Sequence, residues 1–109
     1  MKGSIVLIPF PFTDLSATKL RPALALYENE YDVVVAFISS KVPAILGQAD
    51  IIVMKEEPGF AATGLKADSV IRLDKIATII KTFIAGGIGE LSPEMRSRVN
   101  AAIAELYRI

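Results

Sequence analysis

The chain has 109 residues, enough to fill one hydrophobic core and too few for two. A hydrophobic content of 52% argues against disorder, and the lack of cysteine and histidine excludes disulfides, thiolate metal sites, a cysteine nucleophile and imidazole acid–base chemistry. Its 12 basic residues balance 12 acidic ones, so no whole-molecule field draws nucleic acid to it, and any such binding must rest on a local patch.

No basic segment leads into an apolar leader, and no stretch reaches the ~18 apolar residues that span a bilayer. The expectation is one domain, 1–109, in a reducing cytoplasmic compartment and with no membrane partner. Apolar content slightly above the usual ~45–50% fits a buried subunit interface.

In chain order, Ser4 to Ile8 is a short β-branched run halted by Pro9-Phe10-Pro11, which predicts a buried strand. Phe12 to Leu20 lacks periodicity and is rich in Thr, Asp and Ser, as an exposed and functional loop would be. Pro22 to Tyr27 and Asp32 to Ile38 flank Glu28-Asn29-Glu30, which predicts a hairpin. Ser39 to Gln48, with Pro43 and Gly47, reads as a second loop, followed by a short strand near Asp50 to Val53. Pro58 to Leu65 has no regular pattern. Ser69 to Leu73 and Ala77 to Ile84 read as two strands separated by a turn at Asp74-Lys75. Gly86-Gly87 bends the chain before a last short strand. Ser92 is a good N-cap and Pro93 suits the first helical position, while Met95, Val99, Ala102, Ile103 and Leu106 fall on one helical face.

Five to seven short strands and one closing helix predict a mainly β, small barrel-like fold. Within it, Gly3 to Asp14, Lys19-Leu20-Arg21-Pro22-Ala23-Leu24 and Ser69 to Lys75, together with Ile88-Gly89-Glu90-Leu91-Ser92, resemble the MazF/PemK family of toxin–antitoxin endoribonucleases over nearly the whole chain. The resemblance implies a homodimer of SH3-like barrels, of the MazF/PemK/CcdB-like kind, each with a C-terminal helix. It implies cleavage of single-stranded RNA without a metal or other cofactor, through a cyclic phosphate, and silencing by a cognate antitoxin.

Residue by residue, the resemblance makes Arg21 the cation that stabilises the phosphoryl transition state and Ser39, where the family commonly carries Thr, the hydroxyl that donates to a phosphoryl oxygen. Arg72 and Asp74 resemble catalytic positions of the PemK-like branch, which also uses a loop histidine that this chain lacks. Phe12, Thr13, Lys19, Ser40, Lys41 and Lys81 are the candidate RNA contacts, with Phe12 stacking on a base and the lysines, Lys66 among them, on phosphates. Ser4 stands where the family usually has an acidic residue. Read without the family, Arg21 is a solvated strand residue, Ser39 a turn residue, and Arg72 with Asp74 an ion pair bracketing Leu73. Glu56-Glu57, with no His or Cys nearby, makes no metal site. The competing function is a non-catalytic barrel that binds a protein target, as CcdB-type toxins do, or only an antitoxin.

Overall fold

The computed structural model describes residues 1–10 and 19–109, with the side chain of Phe10 excluded. Six strands run β1 (Ser4–Phe10), β2 (Lys19–Glu28), β3 (Asp32–Ser39), β4 (Asp50–Val53), β5 (Ser69–Ile80) and β6 (Gly86–Glu90). A short helix α1 (Phe60–Thr63) precedes β5, and the chain closes on α2 (Pro93–Leu106). All six strands join one antiparallel, curled sheet in the order β4-β5-β3-β2-β1-β6. The architecture is the mainly β one expected, with one C-terminal helix.

Alternation along the strands sends side chains to two apolar layers. Ile5, Leu24, Ala36, Ile38, Ile71 and Leu73 point to one face, where Phe60 of α1 and Met95 and Val99 of α2 cover them. Val6, Ile8, Ala23, Ala25, Val33, Val35 and Ile79 form a second buried layer on the other face. Burial on both faces explains why Val33 to Ile38 reads as an unbroken apolar run rather than an alternating one.

The helix begins as its sequence requires. Ser92 Oγ accepts the Met95 amide at 3.2 Å, and Pro93 occupies the first turn, where an N–H has no intrahelical partner. Met95 and Val99 are buried, each stabilising the fold by about 1.5–3 kcal/mol, and Ala102, Ile103 and Leu106 extend the same stripe. On its flanks, Arg98 reaches Glu57 Oε1 at 2.5 Å and the Ile52 carbonyl at 3.3 Å, and Arg96 donates to the carbonyls of Leu91 and Lys2. No helix among the described residues is long and apolar enough to cross a membrane.

Several boundaries differ from the sequence expectation, and Gly86-Gly87, expected as a bend before the last strand, are the first two residues of β6, paired with Leu7 and Val6. β1 continues through Pro9 to Phe10, because β6 pairs only with Ser4 to Leu7 and Pro9 therefore lies where β1, among the described residues, has a neighbour on one side alone. Lys19 and Leu20, expected in the loop, already pair with Phe10 and Pro9 in β2; the rest of the expected loop lies largely outside the described residues. The expected turn at Asp74-Lys75 is a bulge inside one strand: Phe37 pairs with Arg72 and Ala36 with Ile76, so Leu73, Asp74 and Lys75 are spanned by adjacent positions of β3. The run to Ile84 ends as strand at Ile80 and passes into a 3₁₀ turn, Lys81–Phe83. Within Pro58 to Leu65, where no pattern was legible, α1 is flanked by Gly59 and Gly64, both at positive φ. Gly64 has no substitute, since a Cβ there would lie 2.1 Å from the Ile88 carbonyl oxygen.

Candidate active site

The strand register gathers the site. Ala23 of β2 pairs with Phe37 of β3 at the end of their ladder; beyond it the two strands continue to Arg21 and Ser39, which alternation places on the same face as that pair. Arg21 also pairs with Ile8 of β1, while Phe37 pairs with Arg72 of β5, and Arg72 in turn with Asp50 of β4. Three strands thus present Arg21, Ser39 and Arg72 side by side around Phe37.

These residues line an open cleft of about 510 Å³. Phe37 and Ile38 supply its apolar wall, Ser39 and Ser40 its hydroxyls, and Arg21, Lys41, Arg72 and Lys75 its charge. No carboxylate is among the described residues that line it. A chain of zero net charge therefore carries a concentrated basic cleft, the local patch that its composition demanded. A second cleft, about 520 Å³, shares Arg21, Ile38 and Ser40 with the first and runs past Leu20 and Pro22 to Leu65 and Lys66.

The cations differ in how they are held. Arg21 is exposed and, among the described residues, has no carboxylate or hydrogen-bond partner, so its planar fork is available to a phosphate. Ser39 Oγ accepts the Lys41 amide at 3.0 Å, a tight turn that leaves the hydroxyl proton to be donated elsewhere. Arg72 is clamped: its Nε lies 3.0 Å from Asp50 Oδ1 and 3.4 Å from Asp74 Oδ1, and Nη2 donates to Asp74 Oδ2 at 3.5 Å.

Of the residues singled out in the sequence, Arg21, Ser39, Ser40, Lys41 and Arg72 meet in the first cleft, with Asp74 ion-paired at its edge and Lys66 in the second. Lys19 opens β2 as an exposed residue and lines neither cleft. Lys81 is not brought there: it binds Glu28 Oε2 at 3.0 Å, and this hydrogen bond, reinforced by the amino group of Met1 at 3.1 Å, holds the Glu28 carboxyl below its ordinary pKa. Phe12 and Thr13 lie outside the described residues. Lys75, Phe37 and Asp50 were not foreseen. Lys75 had been placed in a turn, Phe37 reads as one more apolar strand residue, and the partnership of Asp50 with Arg72 depends on a strand register that neither segment encodes by itself.

The fold is thus a curled, half-barrel β-sheet with a C-terminal helix, carrying a basic, hydroxyl-bearing cleft where three strands meet. Residues 1–107 match the PemK-like, MazF-like toxins of type II toxin–antitoxin systems, and the chain belongs to that family. Among solved structures, the Mycobacterium tuberculosis toxin MazF-mt6 is similar with a TM-score of 0.69 at 24% identity, over 94% of this chain and 93% of that one. An endoribonuclease from a mycobacterial species, solved with its cognate antitoxin, gives a TM-score of 0.69 at 19% identity, over 96% and 91% of the two chains. At these identities the likeness is one of fold. No curated protein matches the chain in sequence.

Proposed function

We propose that this toxin is an endoribonuclease that cuts single-stranded RNA without a metal. A ribose 2′-oxygen attacks the adjacent phosphorus, the bond from phosphorus to the 5′-oxygen breaks, and the products carry a 2′,3′-cyclic phosphate and a 5′-hydroxyl. The observation that carries this reading is that the Arg21 guanidinium, which has no carboxylate partner among the described residues, and the Ser39 hydroxyl line one cleft whose described lining holds no carboxylate. Negative charge grows on the non-bridging oxygens in the transition state, and a fixed cation and hydroxyl donor aimed at those oxygens lower its energy. Asp74, an exposed carboxylate tethered to Arg72, is the group beside the cleft suited to accept the 2′-hydroxyl proton. Lys41, Lys75 and Ser40 hold the flanking backbone, and Phe37 offers an apolar surface to a base.

The acting unit is the whole 1–109 domain as a cytoplasmic homodimer, silenced by a cognate antitoxin. An acidic, extended antitoxin segment would complement the basic cleft, and the mycobacterial endoribonuclease solved with its antitoxin supports that partnership.

Incubation of folded protein with mixed-sequence single-stranded RNA in EDTA tests the reading. Wild type is expected to cut at defined sites and leave cyclic phosphate ends, and Arg21→Ala and Ser39→Ala to lose roughly 10²–10³ in rate. A 2′-deoxy residue at the cut site should block cleavage. Folded, antitoxin-free wild type that cuts nothing, or cuts the deoxy substrate equally well, overturns the ribonuclease reading in favour of a binding module.

A further inference from the structure

Arg72 is the one cation of the first cleft that is ion-paired among the described residues; it hydrogen-bonds Asp74, while its nearer and more buried charge partner, Asp50, faces its Nε without hydrogen-bond geometry and lies away from the cleft. Asp50, the first residue of β4, has a side chain only 12% exposed, against 49% for Asp74. Both of its oxygens are used: Oδ1 sits 3.0 Å from Arg72 Nε, and Oδ2 accepts the Gly47 amide at 2.8 Å. Gly47 belongs to the loop joining β3 to β4, whose first residues, Ser40 and Lys41, line the cleft. The backbone adds a second tie at the same place, since the Leu73 amide donates to the Ala49 carbonyl at 2.8 Å and thereby anchors the start of the bulge that carries Asp74 and Lys75. The Leu73 carbonyl accepts from the Tyr107 hydroxyl at the end of α2.

We infer that Asp50 is a positioning residue of the proposed ribonuclease site, fixing the Arg72 guanidinium, and through it Asp74, relative to the loop that begins with Ser40 and Lys41. The inference rests on the ribonuclease reading. Asp50 does not line the cleft. With two carboxylates against it, Arg72 is largely neutralised and acts as an oriented bracket, while Arg21, Lys41 and Lys75 carry the charge that attracts RNA. Because Asp50 is mostly buried, removing its charge costs stability as well as geometry, and folding is checked beside the kinetics.

Asp50→Asn separates the two roles. The amide oxygen still accepts from Gly47 N–H in a side chain of the same shape, but the charge that orients Arg72 is gone. kcat should fall by about tenfold, as a misplaced group in a preorganised site predicts. Affinity for an RNA blocked by 2′-deoxy at the cut site should not fall, because Asp50 does not line the cleft and Arg72 keeps Asp74 as its counter-charge. The decisive measurement is a cycle of Asp50→Asn, Arg72→Gln and the double variant, with kcat and KM determined in EDTA and folding checked by circular dichroism. If Asp50 acts through Arg72, the loss caused by Asp50→Asn disappears in the Arg72→Gln background. A loss that persists undiminished there, or an unchanged kcat in folded Asp50→Asn, overturns the inference while leaving the ribonuclease reading intact. Wild type that cuts nothing overturns both. Should Asp50→Asn fail to fold, Asp50→Glu decides, since it keeps the charge but displaces it: a lower kcat that disappears in the Arg72→Gln background supports the inference, and a loss undiminished there or a wild-type kcat refutes it.

Discussion

Raising the salt concentration should weaken RNA binding by an amount that the clefts fix in advance. Four cations in the two clefts, Arg21, Lys41, Lys66 and Lys75, have no carboxylate partner among the described residues, whereas Arg72 is already neutralised. Each phosphate neutralised on a single strand contributes about −0.7 to the slope of log affinity against log salt, so four give about −2.8, and affinity falls ~50-fold between 50 and 200 mM salt. Arg21→Ala should reduce the slope to about −2.1 and the loss over that range to ~20-fold. Fluorescence anisotropy of a labelled RNA oligonucleotide, 2′-deoxy at the cut site, reads both numbers directly. A wild-type slope shallower than about −1, or one that Arg21→Ala leaves unchanged, would refute the assignment of these clefts to the RNA backbone.

Three further outcomes concern the scaffold. Glu28 has a lowered folded pKa because it accepts from Lys81 and faces the Met1 amino group, so the stability it contributes is present above its unfolded pKa and lost as pH falls through the folded one. Glu28→Gln should therefore lower Tm near pH 7, and the difference should shrink as pH falls through the lowered folded pKa; a Tm difference that does not shrink in acid would contradict this. Gly64→Ala places a Cβ 2.1 Å from the Ile88 carbonyl oxygen at φ +74, and a urea midpoint should report a loss of at least about 2 kcal/mol. Ser92→Ala removes the acceptor for the Met95 amide and should cost about 1 kcal/mol by the same measurement, with cleavage unaffected because α2 packs on the sheet face away from Ser39 and Arg72.

The strands were legible where apolar runs were long and bounded, as in Asp32 to Ser39, and α2 was legible because Ser92, Pro93 and a five-residue stripe all agree. The bulge at Leu73 to Lys75 was not, since the polar pair Asp74-Lys75 looks like a turn unless β3 is known to run on as a partner past both halves. The four residues of α1 are too few to show a helical period. In the site, Arg21 and Ser39 were named through family resemblance, and the structure brings both to one cleft. Asp50 and Lys75 were invisible because their roles arise from pairing between segments far apart in sequence.

The pairing of β6 with β1 sets an order of assembly in time. Ser4 meets Glu90, so the first strand made waits for one of the last, about 85 residues later, which at ~5–20 residues per second is roughly 4–17 s of synthesis. Through that interval the outer edge of β1 stays open, and the nascent chain offers an unpaired strand to any neighbour that can bind it. A chain ended before Gly86 would keep that edge open permanently and lack α2 over the Ile5, Leu24 and Ile71 layer. Premature termination anywhere ahead of β6 therefore leaves an aggregation-prone fragment in place of a weakened toxin.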